Sequence, residues 1–319
     1  MNLKDKKLLI LGGSGFIGTN IIKYYSNKKL QIYATYHSSS PTIKNKNIRW
    51  IKIDLLKEDS VKRLLKKNLF DYVIQCAAVT AGVKSMKNEP FKLISGNAVM
   101  NSLIIKWCVQ YKVKHFIFLS CTVMYPNSNR YLSENEFDIR QKIHPSYEGI
   151  AYTKTYIENI CNFYSKRSTT KFTALRHSNI YGPFDKFNSD KGHFMASMIS
   201  KILNKNDILE IWGSGTEKRD FLHIDDFLNG INLIILKQKK NFEIFNLSYG
   251  KSFPLKKIIE KILVISKNKK KLKYFKNKPT IKINILVSNK KILNKIGWKP
   301  KTTIDEGILK AINWYKSFY

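Results

Sequence analysis

The stretch Leu8-Leu9-Ile10-Leu11-Gly12-Gly13-Ser14-Gly15-Phe16-Ile17-Gly18 decides the fold of this chain. An apolar run of strand length leads into glycines, and a helical pattern follows from Thr19 to Tyr25. Gly12 permits a tight turn, Gly15 lets the backbone approach a pyrophosphate, and Gly18 lets the helix pack closely on the strand. The helix N-terminus then offers free N–H groups to phosphates. The motif predicts a dinucleotide site, and the plainer alternative is a strand–turn–helix unit that binds nothing.

The length and composition indicate an α/β protein. A chain of 319 residues suits one large domain, or one domain plus a smaller cap. Hydrophobic residues make up 43%, which is enough to bury a substantial core. We expect no membrane span, because no run of about 18 apolar residues occurs. The first residues, MNLKDKK, run into the first strand without a signal peptide, and the cysteines follow no pairing motif, so we expect a cytoplasmic protein.

The strong positive charge does not indicate a nucleic-acid partner. The formal net charge is +34, but only seven of the 57 basic residues are Arg, and the rest are Lys spread along the chain. Nucleic-acid readers usually rely on Arg for forked phosphate and base contacts. We therefore expect no nucleic acid and instead a positive field that attracts an anionic small molecule.

The end of the second predicted strand bears on the choice of cofactor. Residues 31–36 form this strand, and an Asp or Glu at its end would bond the ribose 2′-hydroxyl of NAD, whereas an Arg would accommodate the 2′-phosphate of NADP. Here Thr35-Tyr36-His37-Ser38 provides neither, and His37 is the one cation in this segment. The pattern favours NAD(H) and leaves NADP(H) open.

Two later strand ends add residues that would face the cofactor. The strand at 49–55 ends in Asp54 and Leu55, and an Asp at this place in such folds faces the adenine ring. Capping the helix predicted over 58–67 is another role for Asp54, and both can hold. The strand at 71–78 ends in Ala77-Ala78, whose small side chains let a flat cofactor lie on the backbone. The alternating order of strands and helices predicts a doubly wound parallel sheet.

Eight segments together resemble the extended short-chain dehydrogenase/reductase family, the sugar-nucleotide epimerases and dehydratases. Residues 182–187 and 192–194 are most similar to its GDP-fucose synthase branch. The resemblance covers nearly the whole chain and implies a Rossmann domain over 1–180, with part of 216–240, and a smaller C-terminal substrate-binding α/β cap over 181–319. The segments are Gly12–Gly18, Asp54-Leu55, Ala77-Ala78, Ser120–Pro126, Tyr152–Lys154, Arg176–Pro183, Trp212–Gly215 and Arg219–Asp226.

The resemblance implies hydride transfer between a sugar carbon, usually C4, and a nicotinamide. In the family, a Tyr four residues before a Lys exchanges a proton with the sugar hydroxyl, which a Ser or Thr orients. Lys154 matches the lysine, but Ile150 stands at the Tyr position and Cys121 at the Ser or Thr position. Tyr152 would point to the other side of the helix, and Tyr147 would lie roughly 10 Å away along it.

Four residues are candidates for the proton transfer: Lys154, Cys121, Thr122 and His193. The sequence does not choose among them. GDP-fucose synthases use a Cys and a His to exchange protons beside the keto group, and the resemblance places Val123 and His193 at those two positions. Because the Cys is missing, we expect simple redox at C4 without epimerisation. The alternative role of His193 is a loop or helix-cap residue.

The resemblance also assigns residues to the two ligands. Asn179 would approach the substrate phosphates, and Arg219 would clamp the diphosphate, unless it forms only a surface salt bridge. Trp212 would pack under its loop or stack on the base, while His177 would lie by the nicotinamide carboxamide. The implied cofactor-binding residues are Gly12, Gly15, Phe16, Ile17, Gly18, His37, Asp54, Leu55, Ala77, Ala78, Lys154 and His177.

These features predict NAD(H)-dependent redox at C4 of a nucleoside-diphosphate sugar. We expect a GDP-hexose or GDP-heptose 4-dehydrogenase of bacterial capsule or lipopolysaccharide biosynthesis, similar to the GDP-manno-heptose 4-dehydrogenases. A GDP-4-keto-sugar reductase or epimerase-reductase is one alternative. A catalytically impaired cofactor-binding homologue is another, suggested by Ile150 and Cys121. The resemblance further implies no metal and a homodimer formed through helices 91–111 and 147–166.

Overall fold

The N-terminal stretch forms a strand, a glycine loop and the start of a helix, as predicted. The strand spans Lys7–Leu11, and the helix begins at Phe16. The structure is a computed structural model and describes residues 3–79, 90–187, 192–278, 281 and 283–319. The chain divides into two compact units. Unit 1 comprises Met1–Met124, Tyr147–Arg176 and Ile231–Phe245, and unit 2 comprises Tyr125–Ser146, His177–Gly230 and Asn246–Tyr319.

Strands and helices alternate along the first half of the chain. The described strands are β1 (Lys7–Leu11), β2 (Gln31–Tyr36), β3 (Ile48–Lys52), β4 (Tyr72–Gln75), β5 (His115–Cys121), β6 (Lys171–His177), β7 (Asn179–Tyr181), β8 (Ile208–Trp212), β9 (Lys218–His223), β10 (Phe242–Leu247), β11 (Ser252–Pro254) and β12 (Lys271–Phe275). The described helices are α1 (Phe16–Ser26), α2 (Glu58–Asn68), α3 (Pro90–Gln110), α4 (Glu148–Ser165), α5 (Phe194–Leu203), α6 (Ile224–Lys237), α7 (Leu255–Ser266), α8 (Lys290–Ile296) and α9 (Ile304–Phe318). None of these helices is long and apolar enough to cross a lipid bilayer.

The large sheet has the order expected for a doubly wound fold. Seven of the described strands pair in the order β10-β6-β5-β4-β1-β2-β3. β1 runs parallel to both neighbours, with Leu8 opposite Ile32 on one side and Tyr72 on the other. The strand order reverses between β1 and β4, and ligands of such sheets bind at the carboxyl ends of the strands at this reversal. The predicted α/β class and parallel sheet are confirmed.

Burial explains why β1 is almost entirely apolar. Leu8, Leu9, Ile10 and Leu11 are all at most 1% exposed. A parallel strand in the middle of a sheet is covered on both faces by helices, so it has no solvent side on which polar residues would alternate. The core of unit 1 continues through the apolar residues of α2, α3 and α4.

A buried ion pair joins α4 to β6 in unit 1. Arg176 donates from Nε and Nη2 to the two oxygens of Glu158, at 3.0 and 2.7 Å, and the two side chains are 4% and 3% exposed. Ser120, near the end of β5, donates its hydroxyl to Glu158 at 2.6 Å. The forked guanidinium satisfies both carboxylate oxygens, which offsets the cost of burying the charges. The network therefore fixes β5, α4 and β6 to one another.

Unit 2 is held by polar contacts around Asp226 and by an apolar core. Trp298 is buried, and its indole N–H donates to the Asp226 carbonyl at 3.0 Å. The Asp226 carboxylate accepts the backbone N–H groups of Lys301 and Thr302 at 3.0 and 2.9 Å. These bonds fix the chain that leads into α9, whose first turn is closed by a capping box of Thr303 and Glu306.

Aromatic rings of α9 hold the loop that follows β7. Phe187 stacks on Trp314 with centroids 5.3 Å apart, and Phe184 packs on the same ring at 5.1 Å. Phe184 has a φ of 66°, in the left-handed region that bulky side chains avoid. The ring contacts therefore stabilise a strained backbone, and Asp185 lies between the two anchored residues.

The Glu158–Arg176 pair gives a stability prediction. Glu158→Ala should lower the free energy of unfolding by about 3–5 kcal/mol, because the buried Arg176 would lose its forked bond to the Glu158 carboxylate. Urea denaturation measures the difference. The control is Glu148→Ala, at the exposed start of the same helix, which should cost less than about 1 kcal/mol. Equal losses in the two variants would contradict the role given to the pair.

Candidate functional site

The glycine loop is shaped by two close backbone approaches. Gly12 has a φ of 75°, and a Cβ there would lie 2.7 Å from the backbone of Ala77. A Cβ on Gly18 would lie 2.3 Å from the Gly12 carbonyl oxygen, so only glycine lets α1 dock at this distance. Gly15 differs, since a Cβ there would meet only the Gly12 carbonyl oxygen, at 3.4 Å. The loop is thus packed tightly on its inner side and is open at Gly15.

The start of α1 fits a dinucleotide pyrophosphate. Its N-cap residue, Gly15, is extended and offers no side chain to the first N–H groups, and the first turn carries no acidic residue. These N–H groups therefore stay available, and the helix dipole favours an anion in front of them. Gly15 is exposed, while Phe16 and Ile17 are half-buried beside it.

The predicted adenine-side residues lie at the carboxyl ends of neighbouring strands. His37 follows β2 and is exposed. Asp54 follows β3, and its carboxylate accepts the backbone N–H of Leu56 at 3.0 Å. The alternative role of Asp54 as a helix cap is not observed, because α2 begins at Glu58 and its N-cap residue is Lys57. Ala77 and Ala78 follow β4, so these groups share the sheet edge with the glycine loop.

Lys154 is held against the end of β5. Its Nζ donates to the Leu119 carbonyl at 2.6 Å and lies 4.6 Å from the centroid of the Phe118 ring. Burial lowers the pKa of Lys154, while its interactions with Cys121 and Glu158 act in the opposite direction. Burial also raises the pKa of the Cys121 thiol, which is thus protonated at neutral pH. The Lys154 side chain, whose ammonium loses its proton more easily because it is buried, therefore interacts with the protonated thiol of Cys121.

The positions around Lys154 offer no catalytic tyrosine. Ile150 stands one turn earlier on α4 and has no ionisable group. Tyr152 is 57% exposed, which matches its expected place on the other side of the helix. Tyr147 is the residue before α4 begins. After β5, Thr122 is buried and Val123 is half-buried, in the turn that leads away from Cys121.

In unit 2, His193 is paired with Asp185. The imidazole Nδ1 lies 3.1 Å from the Asp185 carboxylate, which also accepts the backbone N–H of Lys186 at 2.7 Å. The Asp185 side chain is fully buried, whereas the His193 side chain is 71% exposed. The hydrogen bond that the Asp185 carboxylate accepts raises the pKa of His193. A carboxylate anchored in the unit thus holds an exposed imidazole and favours its protonated form.

Arg219 and Trp212 line one cavity of about 310 Å³ within unit 2. Arg219 donates through Nη2 to the Ile281 carbonyl at 2.9 Å and through Nη1 to the Ile283 carbonyl. The guanidinium thus orders this loop, in place of the alternative surface salt bridge. Trp212 is the last residue of β8 and is 55% exposed.

Asn179 and His177 lie on either side of Ser178, where β6 gives way to β7. The Asn179 amide donates to the Asp220 carbonyl at 2.9 Å, and the residue is exposed. The His177 ring packs edge-on against Phe227, with centroids 5.7 Å apart, and its Nδ1 lies 2.9 Å from the Ser178 carbonyl. Both side chains are therefore fixed by their own unit.

Comparisons with known proteins agree with this arrangement. Residues 8–248 match the NAD dependent epimerase/dehydratase family, which is three quarters of the chain. The chain belongs to this family. The family is NAD dependent, so the cofactor of this chain is NAD(H), as predicted.

The chain is also similar to individual proteins over nearly their full length. The chain is 25% identical over 320 residues to a GDP-L-fucose synthase of Sinorhizobium fredii, covering 99% of this chain and 96% of the relative. It is 24% identical to a GDP-L-colitose synthase of Yersinia pseudotuberculosis, with 97% of each covered. The fold matches a UDP-glucose 4-epimerase of Thermotoga maritima with a TM-score of 0.87 at 23% identity, covering 98% and 99% of the two chains.

Sequence reasoning missed two acidic residues of this family member. Glu158 stands four residues after Lys154 on the same face of α4, and this spacing was the available signal. Asp185 lies in the 182–187 segment, but nothing in the segment showed that it would reach His193. Glu158 influences Lys154 and Asp185 holds His193, two residues that the sequence had offered as candidates for proton transfer.

The Asp185–His193 pair gives a prediction on pH. Asp185→Asn should lower the pKa of His193 toward its ordinary value of 6.5, because the carboxylate that favours the imidazolium is gone. NMR titration of the imidazole measures this. Since the folded-state pKa is raised, the pair stabilises the fold below pH 6.5 and this contribution fades as the pH rises through the raised pKa.

A matched charge change serves as the control for His193. Asp207→Asn removes an exposed carboxylate of the same unit and should leave the His193 titration unchanged. An identical titration curve in Asp185→Asn and the unmodified protein would show that the hydrogen bond has no electrostatic effect.

Proposed function

We propose that this protein is an NAD-dependent oxidoreductase that acts at C4 of a GDP-hexose or GDP-heptose in bacterial polysaccharide biosynthesis. The observation that carries the proposal is the placement of Lys154. Its Nζ donates to the Leu119 carbonyl near the carboxyl end of β5, the strand that ends at Cys121. The names of the relatives that match over nearly their whole length support the GDP-sugar class.

The proton chemistry falls to Lys154 in this proposal. When bound, NAD supplies the hydride acceptor for oxidation, or NADH the donor for reduction. Oxidation of a C4 hydroxyl also releases a proton. The neutral amine of Lys154 would take it up at Nζ, and burial favours this neutral form because it lowers the pKa of Lys154. Because burial raises its pKa, Cys121 stays a protonated thiol that cannot accept the proton, so it orients the hydroxyl through a weak hydrogen bond.

His193 favours a second candidate, the reduction of a GDP-4-keto sugar. Its exposed imidazole carries a proton more readily because of Asp185, and a keto oxygen that receives hydride must also receive a proton. An epimerase-reductase is disfavoured, because Val123 cannot exchange protons at the carbons beside the keto group. A catalytically impaired homologue is the remaining alternative and predicts cofactor binding without turnover.

The main test adds NAD and then GDP-mannose or GDP-manno-heptose to the purified protein and follows reduced-nicotinamide absorbance. We expect NADH to form with one of the sugars.

Lys154→Met should lower the rate of this reaction by about 10²–10⁴-fold and weaken NAD binding. Ile150→Tyr should raise the rate if the missing hydroxyl limits turnover. The control is Lys166→Met, an exposed lysine at the end of the same helix.

Three outcomes separate the candidates. Oxidation of added NADH by a GDP-4-keto sugar, without the reverse reaction, would favour the reductase. Binding of NAD with no turnover in either direction would favour the impaired homologue. A full rate in Lys154→Met would exclude Lys154 as the proton acceptor.

We infer that the protein acts as a homodimer formed through α3 and α4. These packed helices leave several large apolar side chains exposed to water, and such a patch commonly marks an interface. In a dimer with a two-fold axis, the same patch of each copy faces its counterpart, so the helix pair α3 and α4 can supply both sides of the interface. The exposed side chains are Phe91, Ile94, Val99, Tyr152, Tyr156 and Phe163.

Charge placed in this patch should separate the two copies. Tyr152→Glu combined with Tyr156→Glu buries two carboxylates in the proposed interface and should yield a monomer. Light scattering after gel filtration gives the mass. Val264→Glu, on the 77% exposed Val264 of α7, is the matched control and should stay a dimer. A monomeric unmodified protein would refute the proposal.

A further inference from the structure

The cavity in unit 2 contains an acidic residue that the proposed redox step does not use. Glu210 lies on β8 and lines the 310 Å³ cavity together with Trp212, Arg219 and the apolar Met198 and Ile211. Among the described residues, no hydrogen bond or ion pair holds the Glu210 carboxylate, and its side chain is exposed. A carboxylate is purely a hydrogen-bond acceptor, so it is available to N–H groups of a ligand in the cavity.

Glu210 and Trp212 project from the same face of β8. The strand alternates exposed and buried residues from Ile208 to Trp212, which places these two side chains on the exposed side. Their Cα atoms are two residues apart, about 6.6 Å along a strand. A planar ring stacked on the Trp212 indole would therefore turn its edge toward the Glu210 carboxylate.

One face of the Trp212 ring already has a cationic neighbour. The Lys278 ammonium lies 5.7 Å from the ring centroid, over the indole. Trp212 is 55% exposed, and an aromatic ligand would stack on the face opposite Lys278. Arg219 lines the same cavity and supplies the positive charge that a diphosphate attached to such a ligand requires.

We propose that Glu210 selects guanine as the base of the nucleotide. This rests on the proposed GDP-sugar function and specifies how the chain would recognise it. The two carboxylate oxygens accept the N1–H and the 2-amino N–H of guanine, which lie side by side on one edge of the base. Uracil offers one N–H on its pairing edge, adenine offers no N1–H, and hypoxanthine lacks the 2-amino group. Only guanine makes both charge-assisted bonds.

The test measures binding of GDP, IDP and UDP to the full-length protein by titration calorimetry, without a sugar or turnover. The unmodified protein should bind GDP at least about 10-fold more tightly than IDP or UDP. Glu210→Gln should weaken GDP binding by about 10- to 100-fold, because the amide turns a donor toward N1–H, and should leave UDP unchanged. Glu260→Gln, an exposed carboxylate of α7 outside the cavity, should match the unmodified protein.

Several results would overturn the assignment. These are equal affinities for GDP and UDP, an unchanged GDP affinity in Glu210→Gln, or loss of the GDP preference in Glu217→Gln instead, since Glu217 also lines the cavity. The binding experiment can fail or succeed independently of the proposed redox reaction. A Glu210-dependent preference for GDP without nicotinamide turnover in either direction would uphold this inference and refute the redox proposal. Equal turnover of UDP- and GDP-sugars would do the reverse.

Discussion

The whole arrangement depends on how closely the backbone approaches itself at the end of β1. The Gly12 and Gly18 positions have no room for a Cβ, so the loop presses against Ala77 on one side and the start of α1 on the other. This contact fixes the reversal of strand order between β1 and β4 and aims the N–H groups of α1 at the edge of the sheet. The shape of this loop therefore follows from steric exclusion along the backbone more than from any side chain.

The proton chemistry rests on a separate support. Two bonds tie α4 to the end of β5: Lys154 donates to the Leu119 carbonyl, and Ser120 donates to Glu158. Arg176 completes the support from β6. Ile150 and Cys121 stand where the family resemblance leads one to expect a Tyr and a Ser or Thr, and the contacts that hold Lys154 form without those groups. In the proposed reaction, the proton path would therefore begin at Lys154.

Much of the fold could be predicted from the sequence, because apolar periodicity and glycine spacing act locally. The strand–loop–helix unit at 8–26 and the exposed position of Tyr152 are examples. Side-chain contacts between separate segments could not be predicted. Arg219 donates to carbonyls more than sixty residues away, and Asp185 pairs with His193 eight residues later, so neither partner was visible in a local pattern.

The left-handed Phe184 has a consequence for heat tolerance. Asp185 sits in a strained segment whose conformation is maintained by ring stacking on α9, at 5.1 Å for Phe184 and 5.3 Å for Phe187. A segment outside a buried sheet can open locally at a lower free energy than global unfolding requires. The orientation of His193 therefore depends on a segment that can open while the main sheet stays folded. On warming, the contact between His193 and Asp185 should be lost before the sheet melts, and it should form again on cooling.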